Sequence, residues 1–318
     1  MDTNASVPAT VRQQTVALLA ALAPREGYNL TALPGVRLLR SNRPLTRTPV
    51  LYDPGNVIVC QGRKRGYFGN RVYLYDAQHY LAVSVPVPFT METDASPAEP
   101  LLALYLHLDF QLAADLMLQL DQASGPGAGP VQPAGLMSTP MDSKLSHSVL
   151  RLLEALQQPL EAQVLGPALL RELYFRVLTG AQGPTLRAAL TRQGRFGHIA
   201  KALRTIHASY HQPLDVEQLA REASMSVPTF HSHFKTVTKT SPMQYLKSTR
   251  LHQARLLMVR NGITGAAASA EVGYESASQF SREFKRLFGL SPVDEVKRMK
   301  AHFVVAPPHS PATYVSSH

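Results

Sequence analysis

A chain of 318 residues with 45% apolar and 17% charged residues is long enough for two domains and has the make-up of core-forming, globular sequence. That excludes a fibrous or wholly disordered protein. The single cysteine, Cys60, excludes an internal disulfide and any zinc site built on several thiolates. The net charge of +10 is lopsided: residues 195–318 carry 16 Lys and Arg against 8 Asp and Glu, whereas residues 1–194 carry 16 against 14. A basic surplus at one end is the electrostatic footprint expected of a nucleic-acid-binding domain, although solubility or an acidic membrane surface would also account for it.

Residues 1–24 contain "TVALLAALA", which has the apolar look of an export signal. Arg12 is balanced by Asp2, however, and Val11, Thr15, Leu18, Leu19 and Leu22 fall on one helical face, so the segment reads as an amphipathic helix. No apolar run approaches the ~20 residues that span a bilayer. A cytoplasmic, nucleoid-associated protein with no membrane partner is expected.

Residues 25–185 change to short strand-like runs: "VRLLR" (36–40), "VIVCQ" (57–61), "RVYLY" (71–75), "YLAVSVPV" (80–87) and "LLALYLHL" (101–108). Their spacing predicts a sandwich or a small β-barrel of cupin-like kind, with "GRKRGYFGN" (62–70) as a hairpin connection whose charges face water. Asp109 can cap a helix reaching about Leu120, and "SGPGAGPVQPAG" (124–135) then breaks the pattern. Beyond it, Leu145, Val149, Leu152, Leu153 and Leu156 form one apolar face and Leu165, Leu169, Leu173 and Val177 another. The two helices make a hairpin that completes the β domain's core or leaves a seam for a homodimer.

A linker (186–196) leads to residues 197–301, and a flexible tail (302–318) follows. Within 197–301 a pattern occurs twice: "LAREASMSVPTFHSHFK" (219–235) lines up with "AASAEVGYESASQFSREFK" (267–285), pairing Ala220 with Ala268, Phe230 with Phe280, Phe234 with Phe284 and Lys235 with Lys285, the second copy being two residues longer. Each copy is a short helix, a tight turn and a second helix anchored by phenylalanines, which is helix-turn-helix grammar. In the second copy Ser276 can cap the helix and Gln279 can return the bond as in a capping box, so a helix starts at about Ala277. Its outer face carries Ser278, Gln279, Ser281, Arg282 and Lys285, donors suited to base edges and phosphates. A long helix, "SPMQYLKSTRLHQARLLMVRNG" (241–262), joins the copies and would let them enter major-groove faces about one helical turn, ~34 Å, apart.

Through "LAREASMS", "SPMQYLKSTRLHQARLLM" and "VGYESASQFSREFKRLFGLSP", in that order, residues 195–300 resemble the DNA-binding domain of the AraC/XylS family of transcriptional regulators. The resemblance implies seven helices in an all-α double helix-turn-helix domain. It places base-reading positions on Pro228, Thr229, His231 and Ser232 in the first unit and Ser278, Gln279, Ser281 and Arg282 in the second. Lys235, Lys247, Lys285 and Arg286 would contact phosphates of double-stranded promoter DNA. One departure from the family pattern, Glu295-Val296 after "SP", bears on the packing of the last helix. "YDPGNVIVCQGRKRGYFGN" and "YLAVSVPVP" are similar to an AraC-type N-terminal effector domain. The expectation is a two-domain α+β regulator that answers a small-molecule effector and engages RNA polymerase.

Two alternatives stay open: a DNA binder without a ligand, and a small β-barrel enzyme tethered to DNA. One cysteine and no acid/base cluster argue against the enzyme. No metal or cofactor is expected. His79 and His107 fall short of a cupin metal set, His231 and His233 point to different sides of a helix, and His207 and His211 read as a surface pair. Cys60 reads as a buried small hydrophobe, with a sensor thiol as its sharper alternative.

Overall fold

The structure, a computed structural model, describes residues 8–124, 131–191 and 194–302. It opens with α1 (Ala9–Leu22), followed by β1 (Gly27–Leu30), β2 (Val36–Ser41), β3 (Leu45–Tyr52), β4 (Gly55–Gln61), β5 (Arg63–Phe68), β6 (Arg71–Asp76), β7 (His79–Val83), β8 (Val87–Asp94) and β9 (Leu101–His107). Next come α2 (Phe110–Ser124), β10 (Leu136–Pro140), α3 (Ser143–Leu156), α4 (Pro159–Thr179) and α5 (Gly183–Leu190). All strand pairs are antiparallel, in the order β1-β2-β9-β4-β7-β6-β5-β8-β3 with β10 added on β7, and the sheet curls into a half-barrel.

The central strands are unbroken apolar runs because both of their faces are covered. In β9, Leu101, Ala103 and Tyr105 enter one core while Leu102, Leu104 and Leu106 enter another; β4 divides Val57 and Val59 from Ile58 and Cys60 in the same way. The outer core is closed by α1 through Leu19, by α3 through Leu145, Val149, Leu152 and Leu153, and by α4 through Leu173 and Val177. The expected helical hairpin is therefore α3 and α4, started by Asp142, whose carboxylate accepts from the Leu145 amide at 2.7 Å. Leu165 departs from the expected face and is 51% exposed.

Four further expectations are corrected. "GRKRGYFGN" is a strand, β5, paired with β6 and β8, and its turn is Gly69-Asn70 alone. Its alternation sends Lys64, Gly66 and Phe68 inward, so Lys64 is fully buried where a solvated loop was expected. "YLAVSVPV" breaks at 84–86 into β7 and β8. The linker 186–196 overlaps α5 and the start of the next helix. Residues 125–130 of the loop at 124–135 and the tail beyond 302 lie outside the described residues.

Among the described residues seven helices follow: α6 (Gly194–Ser209), α7 (Val216–Glu222), α8 (Val227–Thr238), α9 (Pro242–Asn261), α10 (Gly265–Glu271), α11 (Ala277–Phe288) and α12 (Pro292–His302). Among the described residues no helix is long and apolar enough to cross a membrane.

Candidate nucleic-acid interface

Helices α7 and α8 form one helix-turn-helix unit, and α10 and α11 the other. The duplication runs through the caps. Asp215 and Thr264 accept from the amides of Gln218 (2.6 Å) and Ala267 (3.2 Å), and Ser241-Pro242 and Ser291-Pro292 each open the helix that follows the second helix of a unit. The turns match bond for bond: Met225 N donates to Ala220 O and Tyr274 N to Ser269 O, each at 2.9 Å. Ala220 is thus the counterpart of Ser269 and not of Ala268, and the second copy is one residue longer, not two. The left-handed position of that turn is Gly273 (φ 83°) in the second unit and Ser224 (φ 54°) in the first. A Cβ at Gly273 would lie 2.5 Å from His211 O, so only glycine fits there.

The inner faces are held by aromatic ladders. Phe230 and Phe234 in α8, and Phe280 and Phe284 in α11, are fully buried, with ring centroids 5.3 and 5.5 Å apart within each pair. Anchored so, the opposite faces are exposed: Pro228, Thr229, His231 and Ser232 on α8, and Ser278, Gln279, Ser281 and Arg282 on α11. Lys235, Lys285 and Arg286 are exposed beside them. The guanidinium of Arg282 makes no ion pair or hydrogen bond with any described residue.

Three of the named side chains are engaged within the fold, the first being Thr229, whose hydroxyl accepts from Ser226 Oγ at 2.9 Å. Lys247 is half-buried and pairs with Glu283 at 3.0 Å. Gln279 does not return the capping bond; its amide donates to Glu283 at 3.3 Å while Ser276 accepts from the Gln279 backbone amide at 3.3 Å. Glu283 also accepts from Tyr274 Oη at 2.7 Å. Partial burial works to raise the Glu283 carboxyl, and the bonds from Tyr274, Lys247 and Gln279 overcome it and hold the group below the usual carboxylate range.

Sequence patterning misses what fixes the units to each other and to the barrel. Arg250 on α9 donates to Tyr210 O (2.7 Å), Gln212 O (2.9 Å) and Gly273 O (2.9 Å), clamping the turn after α6 to the turn of the second unit. Tyr245 Oη donates to Pro86 O at 2.8 Å, between β7 and β8, and lies 2.6 Å from Nε2 of His207. His207 is therefore buried and not a surface residue, and burial pulls its ring down to about 3. Arg255 is 1% exposed; it pairs with the fully buried Glu295 at 3.3 Å, donates to Pro49 O of β3 at 3.3 Å and stacks 4.1 Å from the Phe288 ring centroid. Glu295, the departure from the family pattern, thus seats α12 on α9 through Arg255, and Arg298, one turn further along α12, also pairs with it at 2.8 Å. The signal available in sequence was an arginine on the apolar side of α9.

In the barrel, Lys64 Nζ lies 3.4 Å from both Tyr52 Oη and Met91 Sδ, and burial pushes the amine well below its ordinary value. Cys60 faces the helices instead, and burial raises its thiol to about 12, which keeps it protonated. Among the described residues there is no group of three or more His, Cys, Asp and Glu side chains placed to hold a metal.

Comparison with known proteins agrees with this division. Residues 32–185 match the family described as AraC-type transcriptional regulator N-terminus, and residues 219–298 match a helix-turn-helix domain. The chain thus carries a domain of the AraC-type regulator N-terminus kind followed by a helix-turn-helix domain. It is 35% identical over 94 residues to the HTH-type transcriptional regulator AlkR of Acinetobacter baylyi, covering 30% of this chain and 31% of AlkR. It is 26% identical over 148 residues to the virulence regulon transcriptional activator VirF of Yersinia enterocolitica, covering 46% and 54%. The chain thus spans about half or less of the length of these relatives. Crystal structures of ToxT from Vibrio cholerae share the fold. The apo form of a lysine-to-alanine variant gives a TM-score of 0.58 at 11% identity, over 86% of this chain and 99% of ToxT. The form bound to an unsaturated fatty acid gives 0.56 at 12%, over 86% and 97%.

Proposed function

We propose that this chain is a sequence-specific DNA-binding transcription regulator controlled by a small-molecule effector held in its N-terminal domain. The observation that carries the reading is the pair of helices α8 and α11, each buried by phenylalanines on one side and exposed on the other with donors that suit base edges. Pro228, Thr229, His231, Ser232, Ser278, Gln279, Ser281 and Arg282 read bases in this account. Lys235, Lys285 and Arg286 supply phosphate contacts, and Lys247 holds α11 through Glu283 before it serves DNA. Lys64 among buried phenols and a thioether supports a polar effector site inside the barrel. The protein acts in the cytoplasm on promoter DNA beside RNA polymerase, without a catalytic role of its own; a thiol held protonated is a poor nucleophile.

The test is a footprint of the full chain and its Arg282→Ala variant on DNA flanking its own gene, at one stated salt concentration. The variant should lose about 1 to 3 kcal/mol on the protected site and little on random DNA. Equal losses on both would make Arg282 a phosphate contact. Self-association through α4 is supported by Leu160 (72% exposed), Val164 (64%) and Leu165 (51%) near its start. In sedimentation the chain should run as a dimer and Leu160→Glu as a monomer; a monomeric parent chain removes that part.

A further inference from the structure

Between α1, the bend joining β4 to β5 and the turn joining β6 to β7 lies a cleft of about 600 Å³, a volume in the range of small-molecule sites. A second cavity of about 30 Å³ adjoins it, the two sharing Arg12, Cys60 and Ala77 as walls. The inner cavity is apolar. Ile58, Val11 and Val149 line it, and its two hydroxyls are spent on their own helices, Thr15 on Val11 O at 2.7 Å and Ser146 on Asp142 O at 2.9 Å. It has room for a group of about one or two carbons.

The cleft outside it carries both signs of charge. Arg12 and Arg63 are exposed, and neither guanidinium makes an ion pair or hydrogen bond with a described residue. Arg63 is registered opposite Asp76 on β6 and Asp94 on β8, yet those carboxylates have other partners. Asp94 pairs with Arg65 at 2.8 Å, and Oδ1 of Asp76 accepts from the amides of Gln78 (2.9 Å) and His79 (3.1 Å). A simple anion here would face Asp76, Asp94 and Glu99, and a simple cation would face Arg12 and Arg63. A molecule carrying one charge of each sign, a few ångströms apart, meets both sets favourably.

We propose that this cleft binds a free α-amino acid with a short apolar side chain. Its carboxylate lies toward Arg12 and Arg63, its ammonium toward Asp76, and its side chain enters the inner cavity beside Cys60. Binding is noncovalent. The cleft is distinct from the barrel interior that holds Lys64, so the proposal goes beyond the effector reading. Because Arg12 comes from α1 and Val149 from α3, an occupant ties both helices to the sheet.

Calorimetry on the full chain without DNA tests this, with L-2-aminobutyrate as probe beside butyrate and propylamine, which keep the same carbon chain and one charge each. Aminobutyrate should bind saturably and raise Tm, with both analogues weaker by about tenfold or more. Arg12→Gln and Arg63→Gln, both exposed positions outside the DNA-reading faces, should each weaken it by about tenfold with unchanged circular dichroism. Butyrate binding as tightly as aminobutyrate, binding undiminished in both variants, or no heat from any probe up to about 50 mM would each overturn the proposal. The readout needs no operator, so a missing footprint and an empty cleft are separate results.

Discussion

The two helix-turn-helix units follow one plan and are built into different surroundings. Phe230, Phe234, Tyr245, Ile199 and Leu203 of the first unit belong to the same apolar cluster as Val50, Tyr75 and Leu81 of the barrel. The second unit keeps a core of its own, Leu251, Ala254, Met258, Ala268, Val272, Phe280, Phe284 and Phe288, and its polar tie to the barrel is Arg255 on Pro49. A repeated motif is thus held once by a large shared core and once by a small one reinforced with a buried ion pair. The two should open with different partners, since local stability follows the cooperative unit a residue belongs to.

The sharpest way to break this contrast is to remove one phenylalanine from each. Phe284→Ala and Phe234→Ala should each cost about 3 to 5 kcal/mol, the usual range for a buried ring. Hydrogen exchange should find the Phe284→Ala loss confined to α10, α11, α12 and the end of α9, while Phe234→Ala also weakens β3 and β8. Matching patterns from the two variants would abolish the distinction.

Next in size is the ion pair. Glu295→Gln leaves the Arg255 guanidinium buried without its counter-charge, and about 3 kcal/mol or more should be lost from the second unit in urea unfolding. Replacing both partners with Leu and Met should recover much of that loss. A silent Glu295→Gln would mean that Pro49 O and the Phe288 ring already suffice for Arg255.

Acid offers a gentler probe. Burial holds the His207 ring at about 3, against about 6.5 in the unfolded chain, so between these values the unfolded state binds a proton that the folded state does not. His207 therefore contributes fully above about pH 6.5, and its contribution is lost as pH falls toward 3, by up to ~1.4 kcal/mol per pH unit. His207→Gln, which keeps a donor for Tyr245 Oη, should flatten the first unit's stability between pH 7 and pH 5. The second unit should keep its slope, because His252, lowered by burial and by Arg255, is untouched. Identical slopes before and after the substitution would refute the assignment.

Periodicity and cap chemistry made the helical half legible: the phenylalanine spacing, the Ser-Pro starts and the start of α11 at Ala277 are local signals, and local signals survive in one sequence. In the sheet, apolar runs made β2, β4, β6, β7 and β9 legible. β3 and β5 were missed because Arg, Thr and Lys dilute their apolar content, although the inward Lys64-Gly66-Phe68 alternation was there to be read. The exposed polar faces of α8 and α11 were visible as runs of donors. The clamps behind them were not, since Arg250, Arg255 and Glu295 find partners far along the chain that no pattern of spacing encodes.

α9 is 20 residues long and buries twelve of them, including charged Arg255. One residue inserted anywhere in it would turn all that follows by about 100° and advance it by about 1.5 Å. Placed before Tyr245, such an insertion would carry that residue, Arg250 and Arg255 away from Pro86, Gly273 and Pro49 together. The helix is closed to change in length while the faces of α8 and α11 remain open to substitution. New binding preferences can therefore arise by swapping exposed side chains one at a time, with the spacing between the two units inherited unchanged.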